Sequence, residues 1–173
     1  MTEPVLSVRN LQVEFLTRRH TLRAIDGVSF DIAKGEVLGE SEWLTITQEM
    51  IDRFAEATGD YQWIHVDREK ARHSAFGTTI AHGFLTLSLI PRLLDQVYAV
   101  DNVAARLNYG CNKVRFTQAV PSDSRIRARI KLVDVEETPK GVRITSEAAV
   151  SIDGAERPAC VAELVAIVIL EAG

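Results

Sequence analysis

Apolar and polar positions recur at helical spacing in the middle of this chain and alternate like strands toward its end. From Ser41 onward the pattern is continuous. Trp43 to Thr47 reads as a short apolar strand. Thr47 then stands where a helix cap belongs, and Ile51, Phe54, Ala55 and Thr58 form a stripe at i, i+3, i+4 and i+7. That helix should run to Thr58 and stop at Gly59. Asp67 can cap a second, short helix through His73, ended in the region of Gly77. Gly83 opens a third helix, in which Phe84, Leu85, Leu87, Leu89, Ile90, Leu93 and Leu94 lie nearly all round the axis. Such a helix should be buried. Pro91 within it marks a kink or a new start.

The remainder reads as strands. Ile126, Ala128, Ile130 and Leu132 alternate with Arg125, Arg127, Arg129 and Lys131. Val142, Ile144, Ser146, Ala148, Val150 and Ile152 share another face, and Asp153-Gly154 is a tight-turn signal. Pro158 to Leu170 is apolar enough for a central strand. Ala105 to Val120 supplies one more, with Gly110 as a bulge or bend. A buried helix followed by a long antiparallel sheet predicts an α+β fold with the sheet wrapped around the helix.

Residues 1–39 read differently. Leu6, Val8, Leu11, Val13 and Phe15 suggest a strand with a break in phase, and Leu22 to Ile32 a second, joined by Arg18-Arg19-His20. Leu6-Ser7-Val8-Arg9-Asn10-Leu11, Leu22 to Phe30 and Lys34-Gly35-Glu36-Val37-Leu38-Gly39 resemble the start of a peptide-type ABC transporter ATPase. In that family the phosphate loop follows at once. Here Gly39 leads into Glu40-Ser41-Glu42-Trp43, and no G-x-x-x-x-G-K-[ST] occurs in the chain. Without that backbone cradle and lysine, ATP binding is rejected. We therefore divide the chain into a leader (1–39), an extra hairpin or loosely held extension, and a main domain (40–173).

Composition narrows the classes. The 173 residues are 46% apolar and 25% charged, which suits a folded globular protein. Lys plus Arg is 20 and Asp plus Glu 24, a net charge of −4, so nothing points to nucleic acid. Cys111 and Cys160 form no C-x-x-C pair, and no Cys/His cluster has zinc spacing. Both read as reduced core residues of a cytoplasmic protein. Thr2, Glu3 and Pro4 stand where a signal peptide would be basic. The longest uncharged apolar runs, Ala81 to Pro91 and Leu164 to Leu170, fall short of the roughly 20 residues that span a bilayer, so no membrane partner is expected.

The chemistry concentrates between Gly59 and Gly83. In Gly59-Asp60-Tyr61-Gln62-Trp63-Ile64-His65 a glycine ends a helix, a carboxylate follows, and a histidine comes in a loop with two aromatic residues. Histidine moves protons in either direction near neutral pH, and a nearby carboxylate fixes its tautomer. On spacing alone the preferred reading is structural, with Asp60 capping the turn and His65 a satisfied core histidine. The second half of the pattern is Ala81-His82-Gly83-Phe84. Backbone N–H groups at a helix start are unsatisfied and can meet a developing oxyanion, and glycine lets a carbonyl come close.

These two motifs, at this spacing, resemble the MaoC-like family of (R)-specific enoyl-CoA hydratases, whose pattern runs G-D-x-N-P-[LIV]-H with a later H-G. Ala81-His82-Gly83-Phe84-Leu85-Thr86-Leu87, Asn108-Tyr109-Gly110 and Asn112-Lys113-Val114-Arg115-Phe116 look most like its single-domain, nodulation-protein-N-like branch. The resemblance covers residues 35–170. It implies a hot-dog fold and a homodimer whose sheets join, with acyl chains entering near the interface. It implies Asp60 and His65 as a catalytic dyad and the Gly83 amide as oxyanion hole. The substrate would be an acyl-CoA or acyl-carrier-protein thioester, with no metal and no cofactor beyond the coenzyme A of the substrate. The family's Asn-Pro is Gln62-Trp63 here, which leaves substrate range open.

Tyr61, Gln62, Trp63 and His82 are candidate substrate contacts, with loop packing as the alternative for Tyr61 and Trp63 and a structural role the preferred one for His82. His20 and His73 read as surface residues. Arg125, Arg127, Arg129 and Lys131 form either a solvated strand face or a seat for coenzyme A phosphates. Competing functions are a hot-dog acyl-CoA thioesterase and a non-catalytic acyl-thioester-binding protein.

Overall fold

The computed structural model describes residues 4–16, 21–33, 35–101 and 103–170. Its elements are β1 (Pro4–Leu16), β2 (Thr21–Ala33), β3 (Val37–Glu40), β4 (Leu44–Thr45), α1 (Gln48–Thr58), α2 (Trp63–Val66), α3 (Arg68–Arg72), α4 (Gly83–Ser88), α5 (Ile90–Leu94), β5 (Val103–Phe116), β6 (Arg125–Thr138), β7 (Gly141–Ile152) and β8 (Pro158–Leu170).

In the leader, β1 and β2 pair antiparallel in a two-stranded sheet of their own. The break in alternation coincides with register shifts between Val8 and Leu11 and between Leu11 and Val13. The connection Arg18-Arg19-His20 lies outside the described residues. β3 straddles residue 39 and pairs with β6, Gly39 opposite Ile130.

The main sheet has the order β3-β6-β7-β8-β5, with β4 also pairing β6, and every pairing is antiparallel. The alternation in β6 does what it should: Ile126, Ala128, Ile130 and Leu132 are buried. The first three meet Ala148, Val150 and Ile152 of β7, and α1, α4 and α5 bring Ile51, Leu85, Ile90 and Leu93 to the same core, while Leu132 packs in a smaller cluster with Ile144 and Val168. Burying an Ile or Leu side chain stabilises by about 1.5–3 kcal/mol, so this cluster carries much of the fold. β8 lies inside the sheet, paired on both sides, between β7 and the edge strand β5. The register of β5 against β8 shifts between Asn108 and Gly110. Cys111, just beyond that shift on the edge strand, is exposed rather than in the core; Cys160 is buried, and both thiols are free.

Local signals place the helix ends. Thr47 Oγ1 accepts the Met50 N–H at 3.3 Å at the start of α1. Gly59 ends α1 in the left-handed region at φ +76°, and its N–H reaches the Ala55 carbonyl. A Cβ there would meet nothing within 4 Å, so backbone conformation and not crowding selects glycine. Asp67 caps α3 by accepting the Lys70 N–H at 2.9 Å.

Two further expectations change, and the choice left open at Pro91 is decided as a new start. The Gly59–His65 stretch is not all loop, since α2 makes one helical turn in it. The third helix is two short ones, α4 and α5, and Pro91 sits in the first turn of the second. Phe84 is 68% exposed, meeting the Phe116 ring edge-on at 5.6 Å. It projects away from the face of α4 that holds Leu85 against the core. No helix among the described residues is long and apolar enough to cross a membrane.

Candidate active site

Three segments converge at the start of α4: the turn after α1, the one-turn helix α2, and residues 79–83. Asp60 sits in the turn and is exposed. Its Oδ1 accepts the Gln62 N–H at 3.3 Å, the Asx-turn contact that spacing alone allowed. His65 lies on α2 and is buried. Its Nδ1 is 2.7 Å from the Ile80 carbonyl oxygen. A carbonyl can only accept, so Nδ1 carries the hydrogen and Nε2 is left bare as a base.

The backbone of His65 is held as firmly as its ring. Gln48 Nε2 donates to the His65 carbonyl at 2.8 Å and to Asp52 Oδ1 at 2.7 Å, while the Thr79 hydroxyl donates to Gln48 Oε1. Every hydrogen-bonding atom of this buried amide is used, apart from spare lone-pair capacity on its oxygen. Sequence reading missed Gln48, because two of its partners, His65 and Thr79, lie far along the chain.

His82 closes the group. Its ring stacks on His65 with centroids 3.7 Å apart and an interplanar angle of 25°, and Phe54 packs on it at 5.0 Å. Its Nε2–H donates to the Asp60 backbone carbonyl at 3.0 Å. A carboxylate oxygen of Asp60 and one ring nitrogen each of His65 and His82 lie within 4.8 Å of one another. Such a trio could also hold a metal ion, a grouping that sequence spacing did not suggest. Burial lowers the His65 pKa from its ordinary value of 6.5; the Ile80 carbonyl opposes this, His82 adds to it, and Asp60 pulls back.

Beside these groups lies a cavity of about 360 Å³, whose walls include His65, Ile80, Gly83, Thr86 and Phe116. Gly83 is the first residue of α4. A Cβ there would stand 3.0 Å from the Phe116 ring, so any larger residue would have to push that half-exposed ring aside. A second cavity, of about 260 Å³, lies farther along α4 and α5 and is lined by Leu87, Pro91, Leu94, Tyr98 and Leu164 among others.

Of the candidate site residues, the structure brings Asp60, His65, His82 and Gly83 together. Tyr61, Gln62 and Trp63 do not line the cavity beside His65. The turn of α2 carries Ile64 and His65 inward and leaves Trp63 with the Lys70 ammonium 4.7 Å above its ring. The basic row on β6 is partly neutralised: Arg127 pairs with Glu40 at 2.7 Å and Arg125 with Asp153, and both guanidinium groups lie over Trp43. His73 is exposed, and His20 lies outside the described residues.

The model of the MaoC-like domain family matches residues 29–152. The chain belongs to the MaoC-like family. Among curated members, a Mycobacterium tuberculosis protein named 3-hydroxyacyl-thioester dehydratase Z is 55% identical over 132 residues, 76% of this chain and 87% of its own length. Nodulation protein N of Rhizobium leguminosarum is 42% identical over 137 residues, 78% of this chain and 85% of its own. The unliganded R-hydratase PhaJ1 of Pseudomonas aeruginosa matches with a TM-score of 0.65 over 82% of this chain and 84% of its own, at 23% identity. The fold of this MaoC-like chain is thus the α+β hot-dog. A separate match of 60% identity over 40 residues, 22% of this chain, is to a Brucella ovis protein named as a peptide import ATP-binding protein, and it covers 13% of that protein.

Proposed function

We propose that this chain is a hydro-lyase that adds water across trans-2-enoyl thioesters and, in reverse, dehydrates (R)-3-hydroxyacyl thioesters, with acyl-CoA as the substrate. The observation that carries the reading is the fixed tautomer of His65, which leaves Nε2 bare on a residue that lines a cavity with the first residue of α4, while an Asp60 carboxylate oxygen lies within 4.8 Å of a His65 ring nitrogen. The identity of 55% to a named 3-hydroxyacyl-thioester dehydratase supports the reaction class.

In the hydration direction, a water held by Asp60 and His65 attacks C3. The new C3–O bond forms as the C2=C3 pair shifts toward the thioester carbonyl. One dyad member takes the water proton, and a proton is delivered to C2. The enolate oxygen is held by the Gly83 N–H, one of the unsatisfied donors of a helix start. This chemistry uses no metal. The acyl tail occupies the apolar cavity along α4 and α5.

A second copy of the chain pairs with the outer edge of β5. This strand ends the sheet, nothing pairs with its far side among the described residues, and it exposes Leu107, Tyr109 and Phe116. A long unpaired edge of this kind offers a row of N–H and C=O groups for strand pairing. The two free thiols fit a reducing, cytoplasmic setting. The leader is accessory to this activity, because it lacks the phosphate loop that its own resemblance requires.

The test is hydration of crotonyl-CoA, followed by loss of the enoyl absorbance. Asp60→Asn and His65→Ala should each lower the rate at least about 10²-fold while the protein stays folded. Full rate in both variants, or release of free thiol in place of hydration, would overturn the reading.

A further inference from the structure

His82 touches both members of the proposed dyad, and nothing in the chemistry above uses it. It is 3% exposed. One ring nitrogen holds the Asp60 backbone and one ring face covers His65. Its Nδ1 is buried without a hydrogen-bond partner. A buried orphan nitrogen is costly, because it gives up its bond to water and gains none in return. An apolar ring would avoid that cost in the stack, so the side chain is retained for what its other nitrogen does.

We propose that His82 is a positioning residue with two separable tasks: its Nε2–H sets the turn that carries Asp60, and its ring face seals His65 from water and keeps it a bare base at Nε2. This rests on the reading of Asp60 and His65 as the dyad and deepens it.

The geometry makes the two tasks independent. The tether runs through the Asp60 carbonyl and would act on the approach of its carboxylate, since among the described residues the other hydrogen bonds of Asp60 are local turn contacts. The stack acts on His65 through solvent exclusion. The charged and titratable groups acting on the His65 ring are His82 and Asp60. From α1 the neutral Gln48 contacts the His65 backbone, with Asp52 behind it. The cavity walls from β5 and beyond, Phe116, Thr117 and Gln118, carry no ionisable group. Burial therefore governs how readily His65 takes a proton, and the His82 ring is part of that burial.

Two variants separate the tasks. His82→Gln keeps an N–H donor near the position of Nε2 and removes the ring. His82→Phe keeps a ring and removes the donor. The readout is the pH profile of kcat/KM for crotonyl-CoA, together with kcat and KM at the optimum. In the Gln variant the acid limb should move to higher pH by about half a unit or more, as His65 is rehydrated. In the Phe variant the limb should stay in place while kcat falls about tenfold or more and KM changes little. An unmoved limb in the Gln variant, or full kcat in the Phe variant, overturns the proposal.

A merely structural role would lower activity in both variants without moving the limb. Should either variant fail to fold, nitrogen NMR of the wild-type imidazoles decides. The Nε2–H tautomer of His82, which the bond to the Asp60 carbonyl requires, supports the proposal, and the Nδ1–H tautomer of His82 overturns it. Full rate in Asp60→Asn and His65→Ala would sink the dyad itself. Loss of rate there with unchanged His82 variants would sink only the role of His82.

Discussion

Ile126, Ile130 and Val150 of the sheet are fully buried against Ile46, Ile51 and Leu93. At the start of α4, Gln48, His65, Thr79, His82 and Thr86 are buried almost as deeply. The first group asks only for volume and apolarity, because dispersion and water exclusion have no direction. The second asks each atom for a partner at a given angle, because a buried polar group without one is penalised. The same interior thus holds a tolerant half and an exacting half. The exacting half borders the cavity we assign to catalysis, where side chains must be held to a fraction of an ångström.

The contrast breaks most visibly under truncation. Ile130→Ala should cost about 2–5 kcal/mol in a urea melt and leave the turnover of the folded fraction unchanged. A variant with normal stability and lost turnover would mean that the sheet core shapes the site directly. On the polar side, Gln48→Leu keeps the volume and strands the Thr79 hydroxyl and the His65 carbonyl. We expect a loss of about 1–3 kcal/mol, accompanied by slower hydration. Neutrality in both would remove the distinction drawn here.

Acid is the gentlest probe. The folded His65 takes a proton less readily than the unfolded chain, whose histidines titrate near 6.5. Below that pH the unfolded state binds more protons, so this contribution to stability is fully present above 6.5 and is lost as the pH falls through the window beneath it. Melting temperatures measured downward from pH 7 should show the loss in the wild type and a smaller one in His65→Ala. An equal slope in the two proteins would assign it elsewhere.

What the sequence revealed follows the same division. Alternation in β6 and β7 marks the buried face directly, as a period of two must when one side meets a core. Thr47, Gly59 and Asp67 mark helix ends because capping is local. The pairing of Gln48 with Thr79 and His65 leaves no periodic trace, since it joins residues far apart in the chain. The single turn of α2 is too short for a periodic signal, and it decides that Trp63 packs under Lys70 while His65 faces the cavity. The family resemblance implied one site for Asp60, His65 and Gly83. It did not reveal that His82 joins the first two, because stacking depends on the path of the backbone between residues 66 and 81.

The register shift in β5 leaves the molecule with a built-in reporter. Cys111 is exposed on the edge where we place the second copy, while Cys160 is buried with its thiol pushed up to about 11. A maleimide dye at neutral pH therefore addresses one position on this chain without any engineering. The labelling rate at Cys111 becomes a clock for how often that edge is uncovered.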